Sequence, residues 1–184
     1  MEASRFPKQI ENMKYPAEFN KTITFRDLDL KNLNGFAIGK NLYDWILDNI
    51  PIGSTILELG SGAGSYELSK HYNMYSVEQN IEWVDKFPGI NYIHAPIDPN
   101  TQWYDKSCLS QLPKDYQCLI LDGPGGYPRN GFYQHLDVFN TNIPTVVDDT
   151  HRIPEATFAF QLAEKLDKKI RFIGEFDKSA VVLV

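Results

Sequence analysis

The sequence predicts an α/β protein with a doubly wound, mostly parallel sheet and an antiparallel hairpin at its C-terminal edge. Short apolar runs alternate along the chain with segments of helical spacing, a pattern typical of parallel strands joined by crossover helices. The predicted strands are Thr55–Leu59, Met74–Glu78, Asn91–Ile97, Tyr116–Leu121 and Thr145–Val147. Two further runs, Ile170–Phe176 and Ala180–Val184, are separated only by Asp177-Lys178-Ser179, which predicts a hairpin.

Helices are predicted in the segments between the strands. Their ranges are Ile38–Ile50, Ser65–His71, Ile81–Phe87, Phe132–Phe139 and Pro154–Leu166. The first is ended by Pro51, and Pro154 suits the first turn of the last helix, where a missing N–H has no intrahelical partner. Because each of the five parallel strands ends in glycine or polar residues, we expect a ligand at the carboxyl edge of the sheet.

Composition and charge limit the classes of partner. The formal net charge is −6 with both signs mixed along the chain, which argues against nucleic acid held by bulk electrostatics. No apolar run approaches the roughly 18 residues that span a bilayer, and the N-terminus lacks the apolar core of a signal peptide. Two cysteines make no disulfide framework, so a cytoplasmic location is expected. Residues 1–34 are polar and predict an arm or partial lid, followed by a single domain over residues 35–184.

A glycine-rich turn follows the first predicted strand. In Glu58-Leu-Gly-Ser-Gly-Ala-Gly-Ser65, glycines occupy alternate positions at Gly60, Gly62 and Gly64. Such a turn lets backbone N–H groups approach a ligand closely. A dinucleotide fingerprint needs its third glycine at position 65, which is Ser65, so NAD(P)-dependent oxidoreduction is the less favoured alternative. Glu78, at the end of the next strand, is placed to bind two ribose hydroxyls.

The spacing Glu58-x-Gly-x-Gly-x-Gly64, with Glu78 about twenty residues on, resembles the first motifs of class I S-adenosylmethionine-dependent methyltransferases. The likeness extends over about residues 36–184, including the terminal hairpin. It implies that Glu58 and the glycine turn seat the methionine end of the cofactor, that Glu78 holds the ribose, and that the end of the third strand holds the adenine. The implied cofactor-binding residues are Glu58, Gly60, Ser61, Gly62, Gly64, Glu78, Gln79, Pro96, Ile97 and Asp122.

Three acids follow the fourth and fifth strands. Asp122 ends one, and Asp148 and Asp149 end the other, so parallel neighbours would bring their carboxylates together. Unpaired carboxylates in proximity repel, and Mg²⁺ or Mn²⁺ would remove that conflict through oxygen ligands. The placement is similar to that in metal-dependent O-methyltransferases. The alternative is that Asp122 and Asp148 only cap a turn and a helix.

Asp122-Gly-Pro-Gly-Gly-Tyr127 and Asp149-Thr-His-Arg-Ile-Pro-Glu155 resemble segments of the plant polysaccharide (glucuronoxylan) O-methyltransferase family. Asp148 departs from that family, which has a histidine there. The resemblance implies a small-molecule or glycan acceptor that offers a sugar hydroxyl, activated by Asp122 and Asp149.

His151 is the predicted general base if no metal is present, because its ordinary pKa allows it to take a hydroxyl proton near neutrality. Aromatic and polar residues in two loops form a predicted acceptor wall: Trp103, Tyr104, Tyr127, Arg129, Tyr133 and His135. The sequence therefore predicts transfer of a methyl group to a hydroxyl. A non-catalytic subunit that only binds the cofactor is the alternative from another class.

Overall fold

The computed structural model describes residues 38–175 and 178–184. The predicted N-terminal arm, residues 1–34, lies outside the described residues. Within them, nine strands and three α-helices form in an alternating order. The strands are β1 Thr55–Leu59, β2 Asn73–Glu78, β3 Ile90–His94, β4 Ile97–Asp98, β5 Trp103–Tyr104, β6 Cys118–Leu121, β7 Thr145–Val147, β8 Ile170–Glu175 and β9 Lys178–Leu183. The helices are α1 Lys40–Asn49, α2 Ala63–Ser69 and α3 Ile153–Leu166, with 3₁₀ helices at Lys106–Gln111 and Arg129–Val138.

The main sheet has seven strands in the order β3-β2-β1-β6-β7-β9-β8. The first five of these are mutually parallel, whereas β9 runs antiparallel to both β7 and β8. The prediction of a doubly wound sheet with an antiparallel C-terminal hairpin is confirmed. Because the order reverses at β1, a crevice opens between the carboxyl ends of β1 and β6, which is where such sheets bind ligands.

The two faces of the sheet carry separate apolar cores. On one face, α1 packs Leu42 and Ile46 against alternate residues of the central strands, including Ile56 and Ile120. These helix positions are four apart, so they share one side of α1. The other face is more aromatic and packs Trp103, Phe132 and Phe158 with the second set of strand residues. Burial on both faces explains why β1 and β6 are nearly continuous apolar runs.

The structure corrects three predicted elements. Residues 81–87 form successive turns rather than a helix, because Asp85 has a positive φ of 58° and the helix cannot continue through it. The third strand stops at His94, since Pro96 has no N–H to continue the ladder; Ile97 begins a separate two-stranded sheet, β4 with β5. The predicted helix Phe132–Phe139 is a 3₁₀ helix over Arg129–Val138 with a non-helical residue at His135.

The remaining boundaries shift by a few residues. Helix α3 begins at Ile153 with Pro154 in its first turn, as predicted, and ends at Leu166, after which Asp167 takes the left-handed conformation. The second hairpin strand begins at Lys178 rather than Ala180. No helix among residues 38–175 and 178–184 is long and apolar enough to cross a membrane.

Candidate functional site

Gly60 ends β1 and lies against the loop that follows β6. Its φ is +102°, and a Cβ there would come within 3.1 Å of the Gly123 nitrogen. The Gly60 N–H donates to the carbonyl of Val77 at 2.8 Å, which ties the turn to β2. A side chain at position 60 would therefore both strain the turn and push the β6 loop away. The close approach of these two loops forms the floor of the crevice.

Glu58 lies beneath the turn rather than in the crevice. Its side chain is 1% exposed and accepts a hydrogen bond from Ser76 Oγ at 2.8 Å. The Ser65 hydroxyl donates to the same carboxyl, while Ser65 Oγ accepts the N–H of Gly62 at 2.9 Å. Burial raises the pKa of Glu58 to about 7, against the lowering effect of the two serine hydrogen bonds. Glu58 therefore holds the glycine turn from inside the protein.

Gly62 and Gly64 have different roles. Gly62 precedes α2, and its N–H is the one bound by Ser65. Gly64 is buried inside α2, where a Cβ would lie 2.9 Å from atoms of Ile38. Gly64 thus allows α2 to pack closely on the start of the described chain, and neither glycine lines the crevice.

Glu78 stands at the carboxyl end of β2, on the wall of the crevice. Its side chain is buried, and its Oε1 accepts the N–H of Asn80 at 2.8 Å. Burial raises its pKa, and hydrogen bonds from the backbone N–H groups of Asn80 and Gln79 lower it in part. In the orientation that satisfies both ends, the Gln79 amide donates to Glu78 Oε1 at 3.3 Å and accepts from Gly125 N–H at 3.2 Å. Gln79 therefore connects the end of β2 to the β6 loop.

The carboxyl ends of β6 and β7 bring three aspartates together around Arg129. Arg129 Nη2 lies 3.2 Å from Asp122 Oδ1 and 3.3 Å from Asp149 Oδ2. The same guanidinium donates to the backbone carbonyls of Leu121 at 2.9 Å, Asp148 at 2.7 Å and Asp122 at 2.8 Å. Arg129 is 8% exposed, so this is a buried cation whose two terminal nitrogens are hydrogen-bonded at the ends of two adjacent strands.

Two carboxyls in this cluster, those of Asp122 and Asp148, are disfavoured in their ionised form. Burial, with the nearby charge of Asp148, raises the pKa of Asp122 well above its ordinary value, although Arg129 lowers it in part. Burial also raises the pKa of Asp148 to about 6, and the charges of Arg129 and Lys178 lower it in part. Burial therefore favours the protonated form of both Asp122 and Asp148, relative to an exposed carboxyl.

The predicted metal site does not fit this arrangement. Among the described residues, no group of three or more His, Cys, Asp or Glu side chains is placed to hold a metal ion. The prediction assumed unpaired carboxylates, whereas the Arg129 guanidinium occupies the space between Asp122 and Asp149. The sequence shows that an arginine follows Asp122 by seven positions, but not that its side chain reaches both carboxylates. Neighbouring carboxylates repel each other unless a cation lies between them, and an arginine guanidinium can provide that positive charge as a metal ion can.

Several other predicted residues lie away from the crevice. His151 is exposed in the turn after β7 and does not line it. Pro96 and Ile97 do not line it either, and Ile97 packs on the aromatic core. Trp103 and Tyr104 are each 1% exposed, so neither forms an acceptor wall. The predicted wall residues Tyr133 and His135 are also turned inward, with Tyr133 Oη donating to the carbonyl of Phe158 and the His135 ring stacked on Trp103.

The crevice has a volume of about 910 Å³ and two distinct walls. One wall is the β6 loop, which presents Tyr127 and Asn130 beside Gly125. The other is the start of α3, which presents Thr157 and Gln161. Ser61, Trp83 and Lys178 complete the lining near the two strand ends. The crevice therefore joins Glu78, at one end, to the aspartate cluster at the other.

Two buried polar atoms near the site have no hydrogen-bond partner among the described residues. Glu155 Oε2 is inaccessible, and Glu155 lines the crevice with its Oε1 4.0 Å from Arg152 Nη1. Tyr104 Oη is buried against Gly123, and burial raises the pKa of this phenol well above its ordinary value, with a smaller contribution from the charges of Glu78 and Asp122. Because a buried polar group normally has a partner, these two atoms are exceptions among the described residues around the crevice.

Comparison with solved structures decides the fold family. An O-methyltransferase from Bacillus cereus in complex with S-adenosylhomocysteine (SAH) is 12% identical, with a TM-score of 0.57 over 84% of this chain and 85% of that chain. The precorrin-6Y C5,15-methyltransferase of Geobacter metallireducens is 14% identical, with a TM-score of 0.56 over 80% of this chain and 92% of that chain. The chain has the fold of a class I methyltransferase.

The fold neighbours differ widely in what they act on. The m¹A22 tRNA methyltransferase of B. subtilis is 15% identical, with a TM-score of 0.50 over 80% of this chain and 65% of that chain. No protein-family model and no curated protein matches the sequence. The methyltransferase fold therefore does not identify the acceptor, which must be inferred from the residues that line the crevice.

Proposed function

We propose that this protein transfers a methyl group from S-adenosylmethionine to a hydroxyl group of a polyol, with a sugar or polysaccharide as the acceptor. The observation that carries the proposal is the crevice at the reversal point of the sheet, which has Glu78 at one end and an aspartate cluster at the other. The first end suits the cofactor and the second suits the reacting hydroxyl.

The residues at the first end fit S-adenosylmethionine. The Gly60 turn offers backbone without a side chain at the crevice floor, and Glu78 offers a carboxylate to ribose hydroxyls. Ser61 and Gln79 flank these two residues on the same wall. The bound cofactor supplies an electrophilic methyl group and leaves as neutral SAH.

Asp148 is the proposed proton acceptor for the acceptor hydroxyl. Its pKa of about 6 leaves it ionised at neutral pH, and Asp148 lines the crevice. As the hydroxyl oxygen bonds to the methyl carbon, the hydroxyl proton passes to the Asp148 carboxylate and the carbon–sulfur bond breaks. The protein supplies orientation and proton acceptance, and no step needs a metal ion.

The walls of the crevice support a neutral polyol. Tyr127 offers an aromatic face, and Asn130, Thr157 and Gln161 offer uncharged hydrogen-bonding groups. Five acidic and three basic residues line the crevice, which disfavours a polyanion such as nucleic acid. Glu155 also lines the crevice and offers a carboxylate to a second hydroxyl.

The test is transfer of a labelled methyl group from S-adenosylmethionine to a panel of sugars, a catechol and an aliphatic amine. The proposal expects labelled methyl ethers of sugars, with activity lost in Asp148→Asn and retained in the control Asp137→Asn, an exposed position outside the crevice. Labelling of the catechol or the amine alone would overturn the acceptor class. No labelling of any acceptor by a protein that binds the cofactor would overturn the catalytic proposal.

A further inference from the structure

The cavity filled by Arg129 has the composition of a metal site. Nη1 and Nη2 contact five oxygen atoms at 2.7 to 3.3 Å, three of them backbone carbonyls and two of them carboxylate oxygens of Asp122 and Asp149. Oxygen ligands of this kind are the ones that Mg²⁺ and Mn²⁺ prefer. In this chain a guanidinium lies where such an ion would be expected.

We propose that Arg129 is a positioning residue that acts as a permanent internal cation, holding the ends of β6 and β7 together in place of a divalent metal ion. An arginine keeps its charge at every physiological pH, and its planar fork can bond several oxygens at once. Because the guanidinium fills the space between Asp122 and Asp149, the unmodified protein has no room for a metal ion between these carboxylates.

The local sequence places Arg129 at this point. Pro128 precedes the 3₁₀ helix that Arg129 begins, and Gly131 lies directly on the indole of Trp103. A Cβ at Gly131 would come within 2.6 Å of Trp103 Cδ1, so any other residue would move the helix. The buried Trp103 is itself fixed in β5. The guanidinium is thus held by packing as well as by its hydrogen bonds.

Arg152 offers a matched control. Its Nη1 lies 3.0 Å from the same Asp149 Oδ2, but its side chain is 55% exposed, whereas that of Arg129 is 7% exposed. Removing Arg152 takes away one exposed ion pair and leaves the central cation in place. If charge on Asp149 alone decided metal binding, the two arginines would be equivalent.

The test is titration with MnCl₂, without cofactor or acceptor, followed by electron paramagnetic resonance of free Mn²⁺. Arg129→Ala is expected to gain one saturable site with a Kd on the order of 10⁻⁴ M, as in weak oxygen-ligand sites. Arg152→Ala and the unmodified protein are expected to bind at least about tenfold more weakly. Asp122→Asn added to Arg129→Ala should remove the new site.

Two results would overturn the proposal. One is a folded Arg129→Ala protein that binds Mn²⁺ no better than the unmodified chain. The other is binding to the unmodified chain with a Kd near 10⁻⁴ M that Asp122→Asn abolishes. If Arg129→Ala does not fold, Arg129→Gln keeps a hydrogen-bonding side chain without the charge and carries the same expectations. The titration contains neither methyl donor nor acceptor, so its outcome is independent of the proposed methyl transfer.

Discussion

Replacing Glu58 by glutamine is expected to stabilise the protein at pH 8 by more than at pH 5. Glu58 is buried under the glycine turn, where Ser65 and Ser76 donate hydrogen bonds to it. A glutamine has nearly the same shape and can keep both contacts, because the Ser76 hydroxyl can rotate to accept from the new amide. The substitution therefore removes the titration of Glu58 while leaving the packing of the turn in place.

The magnitude follows from the pKa of this carboxyl. Its ordinary value is 4.5, and burial raises it to about 7 in the folded protein. Between these two values the unfolded chain loses the Glu58 proton while the folded chain keeps it, so stability falls as pH rises from 4.5 to 7 and is constant above. The raised pKa of Glu58 therefore lowers the free energy of unfolding by about 1 kcal/mol at pH 5 and by about 3 kcal/mol at pH 8. The difference in the free energy of unfolding between Glu58→Gln and the unmodified protein should therefore grow by about 2 kcal/mol from pH 5 to pH 8.

The assay is urea unfolding of both proteins at pH 5 and pH 8. Comparing the proteins at each pH cancels the groups that titrate in both and do not interact with Glu58. Glu82→Gln is the control, because it makes the same chemical change at an exposed position. A stability difference between Glu58→Gln and the unmodified protein that does not change with pH would show that Glu58 is not held in a desolvated site, and the account of the turn would be wrong.

Four further results are expected. Gly60→Ala should weaken SAH binding in calorimetry by more than about tenfold, because the new side chain strains a positive φ and crowds the β6 loop. Gly53 also has a positive φ but has open space around it, so the control Gly53→Ala should leave SAH binding unchanged. Tyr104→Phe should raise the free energy of unfolding in urea by about 1 kcal/mol, because it removes a buried hydroxyl without a partner, and destabilisation would contradict this. In the proposed reaction, kcat/KM should fall below pH 6 as Asp148 gains a proton, and a pH profile that stays flat would exclude Asp148 as the base. The variant Asp148→Asn should lower kcat by at least about 100-fold. Glu155→Gln should raise the KM for the acceptor about tenfold with little change in kcat, and an unchanged KM would remove Glu155 from acceptor binding.

The sheet was predictable because its signals are local and repeated. Each of β1, β6 and β7 is a short apolar run closed by glycine or aspartate, and burial on both faces produces that pattern directly. The prediction of a helix at residues 81–87 was wrong. The composition of this segment suits a helix, but Asp85 has a positive φ that a helix cannot contain. A single backbone angle of this kind leaves little trace in composition.

The site was predictable in its location and less so in its chemistry. Convergence of Asp122, Asp148 and Asp149 follows from parallel strand order, which the sequence indicates. The partner of these acids depends on where the β6 loop places Arg129, and that placement depends on contact with Trp103. Contacts between distant segments are not encoded in spacing, so a metal and an arginine could not be told apart from the sequence.

The most direct measurement of the central claim is calorimetric titration of the purified protein with SAH and, separately, with NAD. The account predicts one SAH site per chain, weakened at least about tenfold by Glu78→Gln, which removes the carboxylate from the crevice wall, and unchanged by the exposed control Glu82→Gln. NAD should show no binding. Binding of NAD without binding of SAH would contradict the assignment of this crevice to a methyl donor.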